Sequence, residues 1–285
     1  MVTGARIGPI VEPMGQRVRV VGPGRAGTSF ATALATAGWH VEPLVGRSDP
    51  VDRAAHDVDL VIIATPDVAI AEVAAAIDPV DGTAVLHLSG ALGPRPVAHH
   101  RRHGVLHPLV ALPDGERGAD RLVGAWFGLA ADGDPVAERI VADLRGHVVH
   151  VDDRHWTRYH AAAVIAANHL VALLGQAERV GASVGLPLDA LMGLAAGSLR
   201  DVTEVGPGAA LTGPVSRGDL GTVQRHLDAL PHDEREAYRA LSEQAARLLP
   251  DPDAAPDAAA DAAPDPDADP DPDPDLPVPD LETST

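Results

Sequence analysis

Three glycines stand at a telling spacing in Gly22-Pro23-Gly24-Arg25-Ala26-Gly27, directly after the β-branched run Arg17 to Val21 and before an alanine-rich helical stretch. Between a strand and a helix, the first glycine permits a tight turn. The second lets the backbone approach a pyrophosphate, and the third lets the helix close on the sheet. The helix N-terminus then offers free amides and a partial positive charge to the phosphates. Gly22, Pro23, Gly24, Arg25, Ala26 and Gly27 therefore read as a dinucleotide cradle, the bland alternative being a glycine-rich connector.

The kind of dinucleotide is read about twenty residues on, where an acidic side chain would bond a ribose 2′-hydroxyl. Gly46-Arg47-Ser48 stands there instead, and Glu42 lies too early, within the strand. A guanidinium and a hydroxyl suit a 2′-phosphate, so Arg47 and Ser48 point to NADP(H). A surface arginine at a strand end is the other reading. Ala64, Thr65 and Pro66 close the next apolar run, at the sheet edge where open α/β sheets bind ligands. Ser89, one strand later, falls at the nicotinamide end; it either donates to a reacting carbonyl or begins a turn.

His160, Val164 and Asn168 recur at i, i+4 and i+8 of a long apolar segment, one stripe about two turns long. A histidine can give a proton to an oxyanion as hydride arrives at carbon. Asn168 can orient the carbonyl or carboxylate. His160 can equally cap the helix or sit satisfied at an interface. In "LTGPVSRGD", Arg217 can clamp a carboxylate through its planar fork or pair with Asp219, and Thr222 follows on a helix face shared with His226. No metal site is expected: cysteine is absent, and His103 and His107 have no third ligand at a sensible spacing.

These groups need a scaffold. Strand-like runs at 17–21, 40–45, 60–65, 84–89, 104–110, 125–130 and 147–151 alternate with helical stretches near 26–37, 68–77 and 135–145. That alternation predicts a Rossmann-type α/β domain with a mostly parallel sheet. Pro43 would cost a ladder bond in a central strand, so the second strand belongs at an edge. After about 152 the pattern is all helical: a long helix to Gly181, apolar enough all round to suggest a buried central helix, then stretches after Pro187, at 219–229 and at 233–248. The expected divisions are a flexible N-terminus at 1–16, a dinucleotide-binding domain at 17–152, an all-α domain at 153–249, and a disordered Asp/Pro/Ala-rich acidic tail at 250–285.

The charge follows that division. Of the net −19, the tail from 251 holds −12, which leaves a mildly acidic body of −7. Without a basic stripe, nucleic acid is not an expected partner. The N-terminus lacks the apolar core of a signal peptide, and no fully apolar run reaches bilayer length. A cytoplasmic protein with no membrane partner is expected. Every basic side chain is arginine, which removes the usual lysine acid/base.

"VVGPGRAG", "IIATPD", "HLSGALG", "HPL", "YHAAAVIAANHLVAL" and "LTGPVSRGDLGTVQRHL" together resemble bacterial Rossmann-like proteins with a C-terminal helical domain of unassigned function. That group is similar to the pyrroline-5-carboxylate reductase, ketopantoate reductase and 6-phosphogluconate dehydrogenase-like superfamily. The resemblance covers roughly residues 17–248. It implies an NADP-dependent oxidoreductase acting on a small carbonyl or imine acid, ketopantoate being the first to try. A non-catalytic NADP(H)-binding sensor or assembly protein is the alternative. In ketopantoate reductase and the 3-hydroxyacid dehydrogenases a lysine on the corresponding helix protonates the substrate oxygen, with asparagine beside it. Here Asn168 matches the asparagine, and His160 stands where the lysine would be sought. The resemblance also implies a homodimer through the helical domain.

Overall fold

The computed structural model describes residues 16–113 and 115–250. The expectations for the N-terminus before residue 16 and for the tail from 251 lie outside the described residues. The chain divides into two compact units, residues 1–175 and 176–285, and each is described by itself.

The first unit is built on a seven-stranded sheet in the order β2-β1-β3-β4-β5-β6-β7. Its strands are β1 (Arg17–Val21), β2 (His40–Val41), β3 (Leu60–Ile63), β4 (Ala84–His87), β5 (Arg102–Pro108), β6 (Trp126–Ala130) and β7 (His147–Val151). The first five are mutually parallel, β6 runs antiparallel to β5, and β7 is parallel to β6. Every residue of β3 and β4 is buried, as expected of central parallel strands covered on both faces. β2 is the edge strand, only two residues long, with Val45 adding an isolated bridge to Val21 beyond Pro43.

Helices α1 (Arg25–Thr36), α2 (Asp67–Ala76), α3 (Gly115–Leu122) and α4 (Val136–Asp143) pack about this sheet. Phe30 of α1 meets Phe127 of β6 edge to face at 6.4 Å within the larger core cluster. α3 has no counterpart among the helical stretches expected from apolar periodicity. Its "GERGADRL" is mostly polar, and only Gly118, Ala119 and Leu122 turn inward. A side chain at Gly118 would run into Ser29, so α3 meets α1 through small residues and gives almost no apolar periodicity.

From Asp153 to Ala182 the chain is one continuous helix of 30 residues. It comprises a 3₁₀ entry, α5 (Trp156–Val164), a π-helical stretch Ile165–His169, and α6 (Leu170–Ala182). Its first turns belong to the sheet's packing: Trp156 is 2% exposed and clusters with Val105, Ala130 and Val151, with Tyr159 against them. Beyond that the helix is not the buried one expected. Ile165 is 60% and Val171 70% exposed. Among the described residues these apolar side chains stand uncovered.

In the second unit, α7 (Leu188–Ala210) is broken at Gly206 (φ 79°), just before Pro207. α8 (Leu220–Ala229) is capped by the Asp219 side chain, which accepts from the Thr222 amide at 2.9 Å. α9 (Arg235–Ala246) follows. The buried Glu234 carboxylate takes two bonds from the Arg179 guanidinium, at 2.6 and 3.1 Å, tying α6 to the start of α9.

Candidate functional site

The strand order reverses between β1 and β3, which creates the crevice in which open α/β sheets bind ligands. The glycine loop fills that position. Gly22 has φ +107°, and a side chain there would lie 2.7 Å from the Ala64 carbonyl oxygen. Gly27 lets α1 press onto the Gly22 carbonyl. Gly24, the residue before α1, has nothing within 4 Å of where its Cβ would stand, and no side chain caps the helix. The first-turn amides of α1 thus open onto free space beside a bare backbone.

Two adjoining hollows meet along Gly24, Ala64, Thr65 and Pro66. One, about 640 Å³, extends past Pro23 to Arg47. The other, about 420 Å³, extends past Arg25 and Ala26 to Leu88 and His107. Thr65 Oγ1 is buried in the shared wall without a hydrogen-bond partner, a cost usually relieved by a ligand or water. At the far rim Arg47 and Ser48 are exposed. The nearby carboxylates are engaged elsewhere: Asp49 accepts from the Gly46 amide at 2.7 Å, and Glu42 from Arg17 Nε at 3.0 Å. The arginine beside Glu42 holds its carboxyl below the usual carboxylate range. An acidic partner for a ribose 2′-hydroxyl is thus committed in both cases, while Arg47 lines the hollow at its outer end.

The opposite end holds a cluster of rings. The imidazole of His87 is fully buried; its Nδ1 accepts from the Ser89 amide at 3.2 Å and its Nε2 bonds the Gly93 carbonyl at 3.1 Å. Burial pushes His87 below the ordinary histidine value. Both bonds pin the loop that carries Ser89 and Gly90. Ser89 Oγ accepts from the Ala91 and Leu92 amides at 3.2 and 3.3 Å, the geometry of a turn-starting serine.

Against Gly90 lie two more imidazoles. A side chain there would collide with His107 and come within 2.7 Å of His160 Cδ2. The rings of His107 and His160 are 5.9 Å apart, edge to face. His107 Nδ1 is 2.8 Å from the Tyr159 hydroxyl. Burial, with the charge of His160 next in size, lowers His107 to about 4, and burial raises Tyr159 to about 12. Neither His107 nor Tyr159 figures among the residues selected from the sequence. The "HPL" motif was visible, but its partner lies 52 residues further along the chain.

Asn168 falls in the π-helical stretch that follows Val164, and it is exposed. In the second unit, Arg217 is exposed in a 3₁₀ turn (Val215–Arg217), and the Thr222 hydroxyl bonds Asp219 at 2.6 Å. Asp219 is thereby used as a helix cap.

Residues 126–245 match the family described as "Domain of unknown function (DUF2520)". The matched stretch runs from β6 through most of α9 and does not include the glycine loop. Among curated proteins, none matches the sequence significantly. Solved structures share the fold over most of the chain. A candidate NADP oxidoreductase from Bacteroides fragilis is 22% identical, covering 82% of this chain and 99% of its own, at a TM-score of 0.68. A reductive aminase from Aspergillus terreus, solved with NADPH and ethyl levulinate, is 18% identical (82% and 94% covered, TM-score 0.62). Pyrroline carboxylate reductase from Plasmodium falciparum, solved with NADP, is 13% identical (82% and 98% covered, TM-score 0.56). The chain therefore has the Rossmann-plus-helical fold that its motifs implied.

Proposed function

We propose that this protein is an NADPH-dependent oxidoreductase that reduces a small carbonyl or imine acid. The observation that carries the reading is the groove at the β1/β3 switch point, with a guanidinium at one end and a buried histidine–tyrosine cluster at the other. The bare backbone at Gly24 and the unpartnered Thr65 hydroxyl fit a pyrophosphate-bearing ligand. Gly22 to Gly27, with Ala64, Thr65 and Pro66, would hold NADP(H), and Arg47 with Ser48 would meet its 2′-phosphate. When bound, the cofactor supplies a hydride to the substrate carbon. His160 gives a proton to the substrate's oxygen or nitrogen, while His87 and Ser89 hold the Gly90 loop in place. Arg217 anchors a carboxylate, with Thr222 in the first turn of the α8 helix that follows, and Asn168 orients the substrate's polar group. The structural relatives solved with NADPH or NADP support the cofactor assignment.

Residues 17–152 serve as the dinucleotide-binding domain and 153–249 as the helical domain, in a cytoplasmic enzyme without nucleic-acid or membrane partners. A second copy of the chain covers the exposed apolar surface of α6 and α7, where Val171, Leu194 and Val205 stand open. The Asp153–Ala182 helix is long and apolar enough to cross a membrane. Its first turns, however, are locked into the sheet through Trp156 and Tyr159, which favours a protein partner for the remainder.

NADPH consumption, followed with ketopantoate and with cyclic imino acids, tests the function. Oxidation of NADPH by one of them supports it. Tight NADPH binding with no consumption supports instead a non-catalytic NADP(H) sensor, the reading favoured by the absence of any lysine.

A further inference from the structure

We propose that Tyr159 and His107 form a fixed hydrogen-bond donor at the nicotinamide end of the groove, with Tyr159 donating to Nδ1 of His107 and Nε2–H of His107 presented to a carbonyl oxygen of the bound ligand. The proposal rests on the dinucleotide reading above and adds a residue to it.

The tautomer follows from counting donors. Were His107 protonated at Nδ1, the Tyr159 oxygen would accept from it, and the phenol's own O–H would be left without an acceptor among the described residues, in a half-buried pocket. An unmade hydrogen bond there is costly. Donation from Tyr159 to Nδ1 satisfies both groups and places the imidazole proton on Nε2. Among the described residues, Nε2 has no hydrogen-bond partner. It borders Gly90, where any side chain would take the space beside it, and the His107 ring lines the hollow with Leu88 and Thr65.

The ionisation states agree with this geometry. His107 is neutral above about pH 4, and the phenol keeps its proton to about pH 12. The charged or titratable groups around His107 are His160, His87, Asp67 and Tyr159. A neutral imidazole of fixed tautomer is a suitable donor to an oxygen that gains negative charge, because it needs no proton of its own to be replaced. His107 would thus be a catalytic residue and Tyr159 the positioning residue behind it. The carbonyl oxygen belongs either to the nicotinamide carboxamide or to the substrate.

Histidine ¹⁵N resonances of the full-length protein decide the matter. The expected result is His107 as a single Nε2–H tautomer with no titration between pH 5 and pH 9, becoming an exchange average of both tautomers in Tyr159→Phe. A downfield move of the Nε2 proton on adding NADPH assigns the carboxamide as its partner. A move seen only with NADP⁺ and ketopantoate together assigns the substrate. A Nδ1–H tautomer, protonation near the ordinary histidine value, or a Nε2 proton indifferent to both additions overturns the proposal. Failure of the cofactor reading looks different: the Gly24 and Gly27 amides would then also stay unmoved by NADPH, while the His107 tautomer would remain as measured.

Discussion

Gly22 and Ala64 touch backbone to backbone: a side chain at Gly22 would stand 2.7 Å from the Ala64 carbonyl oxygen, at a φ of +107° that disfavours any L-residue. The turn after β1 thus rests on the end of β3, and the groove exists because nothing separates them. Gly22→Ala should push the loop away from Ala64, with a conformational cost of about 1–2 kcal/mol from the positive φ alone. NADPH affinity is expected to fall at least roughly tenfold, the free energy of one lost charge-assisted bond, with a modest drop in Tm. Isothermal titration and thermal melts measure the two effects together.

Arg47 is the guanidinium at the groove's outer end, with Glu42 bonded to Arg17 and Asp49 turned onto Gly46. Arg47→Ala should weaken NADPH by about ten- to a hundredfold, from the loss of a charge-assisted hydrogen bond of roughly 1.5–3 kcal/mol. NADH affinity should stay unchanged. Competitive titration of both nucleotides against the variant checks the difference.

His107 gives stability a pH dependence of defined sign. Its folded value, about 4, lies below the ordinary 6.5. Between those values the unfolded chain binds a proton that the folded chain refuses, so stability falls as pH drops from about 6.5 toward 4 and is flat above. The contribution at stake is on the order of 3 kcal/mol. His87 and His100, also lowered by burial, act in the same direction. The carboxylates of Asp134 and Glu234, held low in the fold, add their loss only at still lower pH. Urea melts of wild type and His107→Gln between pH 4 and 8 should show a shallower slope in the variant.

The dimer proposed above can be tested at Val171 of α6, which is 70% exposed; Val171→Glu should put a charge into the proposed interface. Light scattering at micromolar concentration is expected to show a dimer for wild type and a monomer for the variant, with the circular dichroism unchanged. A monomeric wild type would remove the dimer from the account.

Legibility followed the range of each signal. The β1–loop–α1 unit is local, so its glycines could be read directly, and Pro43 sufficed to put β2 at the edge. Helix α3 was hidden because it packs through Gly118 against Ser29 rather than through large apolar residues. The π-helical stretch Ile165–His169, which holds Asn168, could not be anticipated from a pattern that assumes 3.6 residues per turn. His107 and Tyr159 meet only because β5 and α5 are brought together by the sheet, 52 residues apart. An apolar run does not by itself say whether a helix is buried, and the long helix proves exposed at Ile165 and Val171.

Titration of NADPH and NADH into the full-length protein, with Gly27→Ala as the control, tests the central claim most directly. A side chain at Gly27 would strike the Gly22 carbonyl, so that variant should lose the groove. The account predicts tight NADPH binding, NADH at least about tenfold weaker through the missing 2′-phosphate contact, and neither bound by Gly27→Ala. Equal affinity for both nucleotides would contradict the role of Arg47, and no binding of either would contradict the cofactor assignment itself.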